Sequence, residues 1–454
     1  MPYYLLLGFG GLWAILFLRF NRRWLYQVAE QSVGVLNTML SNLSDEEKLA
    51  ILPKATGRLV FSLLVCIVLF ALAAGIAYLP FGGSEYLFGP APARPAWLEI
   101  TALSIGASIP FFLPLRRGAS NYSELSILLH RLVLNNPDLG QILMKREIKK
   151  RQKRGIKHRE DFLIVSGLAR AGTTSFMNHL AALPEFSSLS YANMPFLLSP
   201  NTWARFYKPK KTQEQERSHK DGIKIGLKSY EALEEYFFKS QARSAYIKEL
   251  CLKEYRLSAK EAQSYLDYQS LVRESEAGIY LAKNNNFLLR YQSLREQNSA
   301  FRMVLLFREP LAHAASLLEK HLQYVELQKH DPFVLEYMNW LGHHEFGLGQ
   351  KAFAFEGQQI PNGNPKDLDY WLAIWLNYYR RALEIEDDRI QFVAYDQFCK
   401  APNEVLSKAI KPFGLQAGFE LSPFSNSRQI EAPSESALLE EARALYQKLL
   451  AKVS

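Results

Sequence analysis

The stretch Phe162-Leu-Ile-Val-Ser-Gly-Leu-Ala-Arg-Ala-Gly-Thr-Thr174 decides how the rest of this 454-residue chain is read. Phe162–Ser166 is a short apolar run of the kind a strand buried on both faces shows. Gly167 breaks the run, Gly172 follows, and Ser175–Leu183 reads as a helix stopped at Pro184. In a strand–glycine loop–helix layout, backbone N–H groups and the positive end of the helix dipole point at one anion. Gly167 and Gly172 allow close backbone approach, Arg170 adds charge, and Thr173 and Thr174 add hydroxyl donors. The spacing is that of a Walker A loop, but Thr173 stands where the lysine belongs. An NTPase without that lysine loses its main contact to the outer phosphates.

A second constellation lies downstream. Arg302–Phe307 is another buried-strand run; it ends in Arg308-Glu-Pro310, and a helix carrying Ser316 follows. Proline is favoured at the first helical position, so Pro310 marks the helix start and Ser316 falls in the second turn. An arginine at a strand end and a serine on the next helix can pinch a second phosphate. From Asp161 onward strands and helices alternate, which predicts an α/β fold: a P-loop-like three-layer domain with a central parallel sheet over residues 161–454.

Taken together and in this order, the two motifs resemble those of the sulfotransferases that use 3′-phosphoadenosine 5′-phosphosulfate (PAPS). That family carries a G-x-P-R-S-G-T-T loop for the 5′-phosphosulfate and R-x-P-x5-S for the 3′-phosphate. Three further segments are similar to its broad bacterial branch: Ile279-Tyr-Leu-Ala-Lys283-Asn-Asn, the acidic Tyr230-Glu-Ala-Leu-Glu-Glu-Tyr236, and Ile390-Gln-Phe-Val-Ala-Tyr395-Asp with Ala401-Pro402. The resemblance covers about residues 161–415. It implies that Gly167, Arg170, Gly172, Thr173 and Thr174 hold the 5′-phosphosulfate, that Arg308 and Ser316 hold the 3′-phosphate, and that PAPS is the co-substrate. Ala169 and Ala171 depart from the loop's proline and serine; the backbone donors survive both changes.

Sulfuryl transfer is in-line, with charge building on the bridging oxygen of the leaving group, so positioning and cationic donors supply much of the catalysis. No metal is required, and the scattered acids show no metal-ligand spacing. Arg170 and Lys283 are the candidate charge stabilisers. Acceptor deprotonation needs a general base, worth roughly 10²–10⁴ in rate. The family's glutamate after the first helix has no counterpart at Ser190-Tyr-Ala-Asn193. Glu231, Glu234 and Glu235 come next, Glu231 and Glu235 sharing a face at helical spacing. His343-His344-Glu345 is a third option, and His313 is expected to pack or contact nucleotide. Trp371, Trp375, Tyr378 and Tyr379 fall at helical spacing, so that helix is expected to face the core.

Composition frames the remainder. Hydrophobic residues are 48% and charged residues 22%, too polar for a chain made mostly of membrane spans and too apolar for a disordered one. Cys66, Cys251 and Cys399 lie too far apart for a thiolate zinc site or a disulfide framework. Residues 1–117 contain three charge-free segments, Tyr3–Leu18, Leu59–Gly83 and Ile100–Leu115, and are expected to form an α-helical membrane anchor of two or three spans. Flanking arginines and lysines place the large C-terminal part in the cytoplasm when three segments span. The net charge of +9 is concentrated in Lys145–Arg159, where nine basic residues face one acid. This run lies in a helical basic linker, residues 118–160. It lacks interleaved aromatics, so anionic lipid is the expected contact and nucleic acid is not. The functional expectation is a membrane-anchored, multi-pass transferase that moves a sulfuryl group from PAPS to a hydroxyl or amine of an acceptor, such as a lipid or glycan. The alternatives are a P-loop kinase or NTPase and a non-catalytic membrane scaffold with a degenerate loop.

Overall fold

A computed structural model describes residues 2–41, 43–88, 96–112, 124–155, 159–207, 215–216, 224–225, 232–242, 245–273, 275–416, 418–424 and 436–453. The chain divides into two compact units, 1–139 and 140–454.

The first unit is helical. It contains α1 (Pro2–Phe20), α2 (Arg22–Leu40), α3 (Asp45–Phe88) and α4 (Ala96–Phe112). A reciprocal cap opens α3: Glu47 N–H donates to Ser44 Oγ at 3.3 Å and Ser44 N–H donates to Glu47 Oε2 at 2.8 Å. Glycines let α1 press against its neighbours. A Cβ on Gly106 of α4 would lie 1.7 Å from the Gly8 carbonyl oxygen, and one on Gly10 would lie 2.3 Å from that of Ala77 in α3. Such backbone-to-backbone contact requires small residues. Among the described residues, one helical stretch, Asp45–Pro80, is long and apolar enough to cross a membrane; α1 and α2 reach that standard only as a pair bent by 52°. The segment expected at Ile100–Leu115 lies in the 17-residue α4, and its last three residues lie outside the described set.

The second unit is built on parallel strands. Among the described residues its strands are β1 (Phe162–Ser166), β2 (Phe186–Ser187), β3 (Gln215–Glu216), β4 (Lys224–Ile225), β5 (Cys251–Lys253), β6 (Ile279–Lys283), β7 (Arg302–Phe307), β8 (Ala352–Ala354) and β9 (Ile390–Ala394). Five form the central sheet in the order β2-β6-β1-β7-β9, all parallel. Ile164 of β1 sits between Ala282 of β6 and Met303 of β7.

Both faces of this sheet are covered, which is why β1 reads as an unbroken apolar run. On one face Leu163, Val165, Leu281 and Val304 pack with Phe176, Met177 and Leu180 of the helix Thr173–Ala181, and with Phe398, Leu406 and Ile410. The aromatic helix Leu368–Glu384 buries Trp371, Trp375, Tyr378 and Tyr379, as its spacing predicts. Each such buried large side chain contributes about 1.5–3 kcal/mol.

Because the strands run the same way, the loops after β1, β6, β7 and β9 leave from one edge. The chain passes from β1 to β6 on one side and to β7 on the other. Ligands of open α/β sheets bind at such a switch point.

Candidate active site

The loop after β1 has the backbone its glycines require. Gly167 has φ 144°, and a Cβ there would lie 2.5 Å from the Leu306 carbonyl oxygen. Gly172 has φ 93°, and a Cβ there would lie 2.3 Å from the Tyr395 ring. Arg170 has φ 72°, alone among the described non-glycine residues in being positive. Such a conformation costs about 1–3 kcal/mol and persists only where the surroundings impose it. The helix Thr173–Ala181 starts at Gly172 without a side-chain cap, so its first N–H groups lack intrahelical acceptors and face the loop.

Three segments then converge on this loop. Arg170 Nε donates to Ser316 Oγ at 3.3 Å, joining the loop to the helix Pro310–His330. Pro310 occupies the first turn of that helix, and Ala312 N–H donates to the Glu309 carboxylate at 2.7 Å. Lys283, at the end of β6, donates from Nζ to Thr174 Oγ1 at 2.7 Å. The Arg308 guanidinium carbon lies 5.3 Å from the centroid of the Tyr395 ring, the ring that also covers Gly172.

His313 fixes the loop from below. Its ring is fully buried, and Nε2–H donates to the Ala169 carbonyl at 2.8 Å. Burial pushes its pKa down to about 3, and the nearby Arg308 and Arg170 charges push the same way. The imidazole is therefore neutral, a packing element beneath the glycine loop.

Arg170 and Ser316, Lys283 and Thr174, and Arg308 and Gly172 through the Tyr395 ring are thus brought together around the loop after β1. The acidic candidates divide. Glu231 lies outside the described residues. The helix expected across Tyr230–Tyr236 begins only at Glu235 and runs to Ala242, the acidic residue sitting in its first turn where the dipole favours it. Glu235 is 1% exposed and bound bidentately by Arg290 at 2.8 and 2.8 Å, with Tyr246 OH donating at 2.5 Å. Arg290 also lies 4.1 Å from the Phe238 ring centroid. Glu235 is therefore held as half of a buried ion pair.

Glu234 is equally buried and accepts from Tyr265, from Tyr280 at 2.9 Å and from Asn284 at 2.9 Å. Burial pushes its pKa up to about 7 against the pull of these donors.

The histidine–glutamate loop is differently placed. His343 Nε2 bonds the Ala232 carbonyl at 2.7 Å, and His344 Nδ1 bonds that of Gly349 at 2.8 Å. Burial pushes His344 down to about 4. Half-buried Glu345 accepts from Asn285 Nδ2 at 3.2 Å. A small pocket of about 10 Å³, room for a single water, is lined by Leu168 and Ala169 of the loop and by His344, Glu345, Lys351 and Trp371. Sequence reasoning placed Trp371 and Tyr378 in the core. It did not foresee that Trp371 also lines this pocket, or that Tyr378 OH ties the site together. That hydroxyl donates to the Asn285 carbonyl at 2.9 Å and lies 3.2 Å from Ser166 Oγ. Among the described residues no cluster of three potential ligands fits a metal ion.

No family model and no curated protein matches the chain. Solved structures do. The sulfotransferase STF1 from Mycobacterium tuberculosis H37Rv aligns at 12% identity over 80% of this chain and 91% of its own, with a TM-score of 0.40. The sulfotransferase STF9 from Mycobacterium avium aligns at 14% identity over 82% and 86%, with a TM-score of 0.38. The sulfotransferase domain from the curacin biosynthetic pathway aligns at 13% identity over 66% and 100%, with a TM-score of 0.33. At these scores the alignments carry no argument about function.

Proposed function

We propose that the chain binds PAPS at the loop after β1 and transfers its sulfuryl group to a hydroxyl or amine of an acceptor. One observation carries the reading: the Arg170–Ser316 hydrogen bond, which joins the glycine loop to the helix of the R-x-P-x5-S motif. The backbone N–H groups at Gly172–Thr174, with Arg170 and the threonine hydroxyls, cradle the 5′-phosphosulfate. Arg308 and Ser316 take the 3′-phosphate. Lys283, bonded to Thr174, lies where it can stabilise charge on the bridging oxygen as the sulfur–oxygen bond breaks.

The first unit is proposed to anchor the chain in a membrane, with the catalytic unit cytoplasmic. Support comes from α3, whose Val60, Phe61, Leu64, Ile67 and Val68 are all exposed, a surface suited to hydrocarbon rather than water. Within the basic run, Lys145, Arg146, Lys149 and Lys150 are exposed, as contact with anionic headgroups requires. Arg151 instead bonds the Arg273 carbonyl, and Arg159 pairs with Asp161.

The test is a thermal titration of the full chain in detergent with adenosine 3′,5′-bisphosphate. The wild type is stabilised, and Arg308→Ala weakens the apparent affinity at least about tenfold, since a charge-assisted contact to phosphate is lost. A larger effect from magnesium ATP would favour the kinase alternative, and no effect from either nucleotide would favour a scaffold.

A further inference from the structure

Resting on that sulfuryl-transfer reading, we infer that Glu234 is a positioning residue for the donor site: through Asn284, its carboxylate fixes the strand end from which Lys283 reaches Thr174 and the donor. The argument starts from the lysine. Lys283 closes β6, its Cα pairs with that of Val165 in the parallel ladder, and Asn284 is the next residue. An ammonium on a flexible four-carbon stem reaches one place reproducibly only if the backbone beneath it is held.

Asn284 does the holding, and all of its polar groups are committed to it. Its N–H donates to the Val165 carbonyl at 3.0 Å, and its own carbonyl accepts from Ser166 Oγ at 2.8 Å, so both backbone groups grip the end of β1. Oδ1 accepts from the Asn286 N–H at 2.9 Å. That bond sets the orientation of the amide, which turns Nδ2 toward Glu234 Oε2 at 2.9 Å. Asn284 and Glu234 are each 1% exposed, so no solvent replaces either partner.

Glu234 is itself anchored from two elements. Its Oε1 accepts from Tyr265, on the helix Ala259–Val272, and from Tyr280 of β6 at 2.9 Å. Burying a carboxylate is costly, and an apolar side chain would fill the same volume without that cost. What the carboxylate adds is direction: an acceptor aimed at one amide, in the turn that follows the lysine. Without it the buried Nδ2 loses its acceptor, and the turn shifts to find another, carrying Lys283 off Thr174.

The assignment is tested by a double-mutant cycle read as thermal titration of the full chain in detergent with adenosine 3′,5′-bisphosphate. Asn284→Ala is expected to weaken the apparent affinity about tenfold where Lys283 is present and less than about twofold in the Lys283→Ala chain. Glu234→Ala behaves as Asn284→Ala does. Glu234→Gln, whose amide oxygen still accepts from Asn284, stays within about threefold of the wild type. Where one alanine variant fails to fold, the cycle is run with the other. Equal losses with and without Lys283 would reveal a merely structural role and overturn the assignment. So would an unchanged affinity in the alanine variants or in Lys283→Ala, or a Glu234→Gln chain as weak as Glu234→Ala. A wild type that bisphosphate does not stabilise would instead overturn the parent reading.

Discussion

Glu234 and Glu235 are adjacent, both 1% exposed, and chemically unlike because of what faces them. Arg290 and Tyr246 surround Glu235, whereas Glu234 meets only neutral donors, Tyr265, Tyr280 and Asn284. Burial therefore wins at Glu234 and raises its pKa from 4.5 to about 7. The sign follows from proton counts: between these values the folded state binds more protons than the unfolded state, so stability falls as pH rises through the window. From pH 4.5 to pH 7 the unfolding midpoint of the wild type is expected to drop roughly 5 °C more than that of Glu234→Gln, as thermal melts across this range would record. None of this was legible beforehand. Glu231 and Glu235 were grouped by helical spacing, yet the helix opens at Glu235, and partner identity depends on β6 and on the helix Ala259–Val272.

At the scale of elements, the strand–loop–helix unit and the second strand with its proline-opened helix were readable. Their signals are local: an apolar run, a glycine, a proline at the first helical turn. Contacts between them were not, since Lys283 meets Thr174 only because β6 lies beside β1. The same holds for Tyr395, whose ring reaches Gly172 from the end of β9. That contact makes a sharp prediction. Gly172→Ala combines a φ of 93° with a Cβ 2.3 Å from the ring, so Tyr395 must move. The variant is expected to lose about 1–3 kcal/mol of stability in denaturant titrations. It is also expected to bind adenosine 3′,5′-bisphosphate about tenfold more weakly, since the ring near Arg308 shifts.

At the scale of the whole molecule, the two units have separate cores, one of apolar helices and one of parallel sheet. Ligand binding should therefore register in one of them. In calorimetry of the full chain in detergent, bisphosphate at about 100 times its Kd is expected to add about 2.7 kcal/mol to the unfolding of the sheet unit, leaving the transition of the helical unit where it was. The strand order β2-β6-β1-β7-β9 has a further consequence for biosynthesis. Gly172 of the loop is translated long before Tyr395, whose ring packs on it, so most of the chain emerges from the ribosome before that contact can form. A nascent polypeptide halted before β9 already holds Arg170 and Arg308 but lacks the Tyr395 ring that packs on Gly172.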